Sequence, residues 1–384
     1  MENLSAGCPI IPDSIWEFPI GDSLVVARAD VQGLFLLNAS ARVIWRFLRS
    51  ELRRDELIAR FSSHFGIPLE LAADDVEATL RDWCAGLLAS ERNTLEPVVL
   101  SLPSLGTVGS FSQDYLLNSS RFRLVLEDED LVDEITPRLK VLETHSGPPD
   151  VTFCLARQTD SIAIFKGADC IGVEETVTAA RAVLLQEMVR VSGTGRDWLT
   201  ILHAGAYGTP SHCILLAAAS HSGKSTLAAA LMHSGLSLFS DDSAAIERAT
   251  GKVAAMPFAL MLREGSWPVL QSRFPELLDA PAVLRYGQNV RFLSPVIAEP
   301  EAASASVKSL VFIEFKPGAK TTLVTVGGFE RLLLLQESGF WVPHDRESIA
   351  DFLAWIASLP SYSLTYSDLN EAVKVIRELI DAEA

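Results

Sequence analysis

The stretch LLAAASHSGKST (215–226) ends in Gly223-Lys224-Ser225-Thr226, and two adjacent carboxylates, Asp241 and Asp242, follow 17 and 18 residues after Lys224. A glycine, a lysine and two hydroxyl residues in that order suit a polyphosphate. Backbone N–H groups of the turn converge on phosphate oxygens, and the positive end of a following helix adds its dipole. Lys224 neutralises the terminal oxygens, and the Ser225 hydroxyl reaches a magnesium ion. The candidate nucleotide-binding residues are therefore Ser220, His221, Ser222, Gly223, Lys224, Ser225 and Thr226, with ATP and Mg²⁺ as the expected cofactors. The acid pair offers two jobs, one carboxylate to hold Mg²⁺ and one to take a proton from an attacking hydroxyl. On a strand two neighbours alternate faces, so neither replaces the other.

The turn departs from the usual pattern twice. Ala218 stands five positions before Gly223, where a glycine is expected; it costs on the order of 1 kcal/mol if a left-handed backbone is kept there. His221 occupies a position usually given to a small residue, and its imidazole either points to solvent or reaches the phosphates.

The flanking elements must carry these groups. HCILLAAA (212–219) reads as a buried strand, TLAAALMHSG as the helix that follows, with Gly235 as its C-terminal cap, and LSLFSDD as a second short strand that a parallel sheet would bring beside the loop. Upstream, RFRLVLED, DVTFCLA and SIAIFKG read as strands, and EETVTAARAVLLQEMVRVSG as a long helix. The acidic run EDEDLVDE (127–134) reads as a solvated turn and helix start without chemistry. Near the C-terminus, Asp368 caps a helix whose Leu369, Ala372, Val373, Ile376 and Leu379 face the core.

Residues 1–95 have their own grammar. SLVVARADVQGLFLLN (23–38) suggests two β segments with a turn between them. Asn38 or Ser40 caps a helix with Ala41, Ile44, Trp45, Leu48 and Leu52 on one face, a second helix runs near Arg54–Phe65, and a third over Asp75–Leu88. This is a small winged-helix-like domain. Residues 96–120, rich in Ser, Pro and Gly, read as a linker, and 121–384 as one α/β domain.

The whole chain has 384 residues, 48% of them apolar, and a formal net charge of −17. That charge repels nucleic acid and anionic lipid, leaving peptides, proteins or small molecules as partners. The five cysteines are widely spaced and show no C-x-x-C pattern, so a reducing cytoplasm is expected, and no apolar run is long enough for a membrane helix.

The N-terminal pattern, GLFLLNASARVIW, then FSSHFGIPL, then DVEATLRDWCAGLL, resembles the PqqD family of peptide-recognition domains from ribosomal peptide biosynthesis. The resemblance implies that the leader of a precursor peptide adds as a strand beside Gly33, Leu34, Phe35, Leu36 and Leu37. GKSTLAAALMHSGLSLFSDD resembles HPr kinase/phosphorylase and its relatives, and LHAGAYG their histidine segment. This implies a P-loop kinase domain in which Asp241 is the catalytic base, Asp242 and Ser225 are magnesium ligands, Lys224 lies on the phosphates and His203 neighbours the transferred group. GKVAAMPFALMLREGSWPVL and SYSLTYSDLNEAVKVIREL are similar to related proteins of peptide gene clusters. The family's arginine near the transferred phosphate has no clear match, with Arg263, Arg285 and Arg291 as candidates. The long HPr-recognition signature is absent, which argues against HPr as substrate. Together the resemblances imply a kinase acting on a Ser or Thr hydroxyl of a recruited precursor peptide. A kinase for a small hydroxylated metabolite and a non-catalytic scaffold are the alternatives, and homo-oligomerisation stays open.

Overall fold

The structure is a computed structural model that describes residues 8–89, 111–145, 147–192, 196–219, 222–285, 287–295 and 304–382. The chain divides into two compact units: residues 1–97 with 327–333 and 344–354, and the remainder. Ser220 and His221 lie outside the described residues.

In the first unit, three antiparallel strands, Ile15–Ile20, Ser23–Arg28 and Val31–Leu37, precede three helices, Ala39–Arg49, Arg54–Phe65 and Leu69–Ala85. The strand Ile15–Ile20 extends the expected two-strand pattern, and the third helix starts six residues earlier than its periodicity indicates. The Asn38 side chain accepts the Ala41 N–H at the first helix start, supplying one of the partners that a helix N-terminus lacks. Ile44, Trp45, Leu48, Leu57, Phe61, Val76, Leu80 and Trp83 close the core. Trp45 and Trp83 meet edge to face at 5.3 Å, a geometry that adds about 0.5–1.5 kcal/mol beyond area burial. The Trp45 indole N–H is satisfied by Glu17 at 2.8 Å. Among the described residues, Val31–Leu37 has a strand neighbour on one side only, Ser23–Arg28.

The second unit opens with a six-stranded sheet. Its first strand, Phe111–Leu117, pairs antiparallel with Ser120–Leu126, so the expected linker 96–120 ends in a hairpin. The turn is Asn118-Ser119, with Asn118 at φ 55°. The helices Glu129–Leu139 and Val177–Val191 bury apolar stripes in this unit.

The larger sheet carries the candidate site. His212–Ala217, Ser304–Phe315 and Ser361–Tyr366 run parallel side by side, and the helix Lys224–His233 leaves the carboxyl end of the first. The middle strand of the trio is buried without a break over residues 309–313, the pattern of a parallel strand covered on both faces. The strand Ser237–Ser240 does not lie next to His212–Ala217 as expected. Ala204–Gly208 sits between them, antiparallel to both. The aspartates fall in the bend just after Ser237–Ser240 rather than on the strand itself.

Candidate active site

Gly223 precedes the helix Lys224–His233 with φ +85°, a left-handed backbone that favours glycine. A Cβ there would also come within 2.9 Å of the Tyr366 hydroxyl and 3.1 Å of Phe315 Cβ. Both strain and space therefore demand glycine at this turn. The first N–H groups of the helix have no intrahelical acceptor and open toward a cavity of about 720 Å³. Ala218, Ala219 and the run Ser222–Thr226 line it together with His203 and Asp242. Ser222 Oγ is buried with no hydrogen-bond partner among the described residues.

Lys224 ties the turn to the acid pair. Its Nζ donates to the Asp241 carbonyl oxygen at 2.8 Å and forms an ion pair with the Asp242 carboxylate. The two carboxylates then diverge. Asp242 lines the cavity with its side chain 30% exposed, whereas Asp241 is only 1% exposed. Tyr207 Oη donates to Asp241 at 3.4 Å, and Gly205 leaves room for that ring, since a Cβ would sit 2.5 Å from Tyr207 and 3.0 Å from the Asp241 carbonyl.

Burial and the neighbouring Asp242 push the Asp241 carboxyl up to about 6. Burial pushes Asp242 the same way, but Lys224, a hydrogen bond from His203 and the Arg138 charge outweigh it and hold Asp242 well below the usual carboxylate range. Two adjacent acids thus take opposite electrostatic characters. Access differs too, because Asp242 lines the cavity and Asp241 does not.

His203 sits in the bend between Trp198–Leu202 and Ala204–Gly208. Its Nδ1 lies 2.8 Å from the Ser338 carbonyl oxygen. A carbonyl only accepts, so Nδ1 carries a proton, and Nε2 lies 3.6 Å from the Asp242 carboxylate.

Sequence reasoning missed Arg138, the arginine that contacts both aspartates. Arg138, on the helix Glu129–Leu139, is buried and donates to Asp241 at 3.2 Å and Asp242 at 3.0 Å. Of the three expected candidates, Arg263 lines the cavity. Arg285 instead pairs with Glu134 at 2.6 Å, and Arg291 lies 4.1 Å over the Trp267 ring. The acidic run is likewise not all solvated: Glu134 is buried between Arg181, 2.6 Å away, and Arg285. A signal was present. On Glu129–Leu139 the buried positions are Leu131, Glu134, Ile135, Arg138 and Leu139, so two charged residues occupy an otherwise apolar stripe at helical spacing. A charge in that stripe needs a partner.

The cavity wall carries Arg138, Arg181, Lys224 and Arg263 against one carboxylate, Asp242, in a chain of net charge −17. Together with the glycine turn, the exposed amides of a helix start and the unpartnered Ser222 hydroxyl, these residues fit a polyphosphate and its magnesium. Among the described residues no group of three or more His, Cys, Asp or Glu could hold a metal alone. Magnesium does not need one, because it shares few carboxylates with substrate phosphates.

Residues 24–87 match the family model of coenzyme PQQ synthesis protein D (PqqD), a span that holds the second and third strands and the three helices of the first unit. No curated protein matches the chain. No helix among the described residues is long and apolar enough to cross a membrane. The N-terminal unit of this mixed α/β chain is thus PqqD-like over residues 24–87.

Proposed function

We propose that this chain is an ATP-dependent kinase acting in ribosomal peptide maturation. In this reading it phosphorylates a Ser or Thr hydroxyl of a precursor peptide recruited through its leader by the PqqD-like domain. One observation carries the reading: the Gly223 turn, Lys224, Asp242 and His203 meet at one cavity whose wall is cationic within a strongly acidic protein. Bound ATP with Mg²⁺ supplies the phosphoryl group and neutralises its developing charge.

The protein's own groups do the rest. Amides of the Ser222–Thr226 turn and Lys224 would hold the phosphates, and Ser225 with Asp242 would hold the metal, a role that suits a carboxylate kept ionised by its neighbours. Asp241, raised to about 6, accepts the hydroxyl proton. It is ionised above that pH and is a stronger base than its neighbour. This role requires its carboxyl to exchange Arg138 for the acceptor hydroxyl. Arg138 then stays on Asp242, and His203, which lines the same cavity, would neighbour the transferred group. Leader binding on the same chain raises the concentration of the acceptor at the cavity, so few contacts to the acceptor residue itself are needed. In this reading the leader adds as a strand along Val31–Leu37, the strand beside Ser23–Arg28, with side-chain pockets selecting it.

The test is incubation of candidate precursor peptides with the protein, ATP and Mg²⁺, read by mass spectrometry for the gain of one phosphate group. Wild type should phosphorylate the full peptide and act far more slowly on its leaderless form. Asp241→Asn should abolish transfer while retaining nucleotide. Processing unchanged by Asp241→Asn would sink the kinase reading in favour of a scaffold, and equal rates without the leader would remove the recruitment step.

A further inference from the structure

Three parallel strands present their carboxyl ends at one edge of the larger sheet. The first feeds the Gly223 turn, the second ends at Phe315 and the third at Tyr366. In open α/β sheets that edge is where ligands bind. Phe315 and Tyr366 are paired residues in register, and their rings meet at 5.7 Å and 66°. They differ in exposure: Tyr366 is buried, whereas Phe315 is 45% exposed.

The backbone under Phe315 is held on both sides. Its N–H donates to the Ser222 carbonyl at 3.1 Å, and the next N–H, of Lys316, donates to the Tyr366 carbonyl at 2.9 Å. The following turn is closed by Ala319 N–H on the Lys316 carbonyl and by Ser367 Oγ on the Ala319 carbonyl. Tyr366 Oη donates to the Gly223 carbonyl at 3.4 Å. The result is an aromatic face fixed in place, open to solvent and one hydrogen bond from the turn assigned to the phosphates. It does not line the cavity that holds His203 and Asp242. A planar base stacks on such a face at little entropic cost because the platform is already rigid.

Resting on the nucleotide reading above, we infer that Phe315 is the stacking platform for the nucleobase of the bound nucleoside triphosphate, with Tyr366 as the buried support beneath it. The phosphates then run from the turn into the cavity while the base stays outside it.

Titration calorimetry with two probes, ATP and inorganic tripolyphosphate, each with Mg²⁺, tests this. Stacking on one ring is worth roughly tenfold in affinity. Phe315→Leu, which keeps apolar bulk beyond the Cβ, and Phe315→Ala should each weaken ATP about tenfold and leave tripolyphosphate unchanged, and Phe315→Trp should restore ATP. Equal losses for both probes would show that the side chain only shapes the turn and would overturn the inference. So would ATP affinity that ignores Phe315, or wild type binding tripolyphosphate as tightly as ATP. Wild type binding neither probe would sink the nucleotide reading itself, and this inference with it.

Discussion

Asp241→Asn changes the charge but hardly the shape of a side chain that is 1% exposed, and the effect on stability should depend on pH with a definite sign. Burial and Asp242 raise the folded-state pKa of Asp241 to about 6, against about 3.9 for an unfolded aspartate. Between those values the folded state holds a proton that the unfolded state has released, so stability falls as pH rises through the window and the full penalty is present above it. A difference of about 2 pH units corresponds to roughly 3 kcal/mol at pH 8, shrinking to about 1 kcal/mol or less at pH 4.5. Asparagine carries no such penalty and still accepts from Arg138. The variant should therefore melt several degrees above wild type at pH 8, with the gap closing toward pH 4.5. Thermal unfolding of both proteins across that range reads it directly. A gap that is constant with pH, or one that widens on acidification, would show that Asp241 is ionised at no cost and that its neighbours, not its burial, control it.

The same group sets the pH profile of the proposed activity, which should rise as pH passes through about 6 and level off above it; initial rates of peptide phosphorylation against pH check this. Lys224→Met should abolish the stabilisation that ATP with Mg²⁺ confers on wild type, a shift worth about 2.7 kcal/mol at one hundred times the dissociation constant, read by thermal shift. Gly205→Ala should displace Tyr207 and the Asp241 carbonyl, both within 3.0 Å of the added methyl, costing about 1–3 kcal/mol in urea unfolding and lowering transfer. Glu134→Gln should cost about 3–5 kcal/mol, because it neutralises the buried carboxylate that pairs with both Arg181 and Arg285; chemical denaturation measures it.

What the amino-acid sequence determined about this protein is local. The helix Arg54–Phe65, the Asn38 and Asp368 caps, the strand at His212 and the helix that begins at Lys224 each follow from residues within one or two turns of one another. A cap, a glycine turn or an apolar stripe acts over a few residues of backbone, so its signal is contiguous. The spacing of Lys224 and Asp242 was legible for the same reason, since one helix and one strand separate them.

Only the tertiary structure decided the partners that arrive from far along the chain. Arg138 reaches an aspartate 103 residues away, and Glu134 lies between arginines 47 and 151 positions distant, as the numbering of Arg181 and Arg285 gives. Nothing in EDEDLVDE distinguishes a solvated acid from a buried one until the opposing cations are placed. The strand Ala204–Gly208 inserts between two strands that the chain order would pair, and this sets which aspartate faces the cavity and which is sealed under Tyr207. Charge burial and strand order depend on how distant segments pack. The electrostatic split between Asp241 and Asp242 therefore exists only in the folded chain, although both residues stand side by side in its sequence.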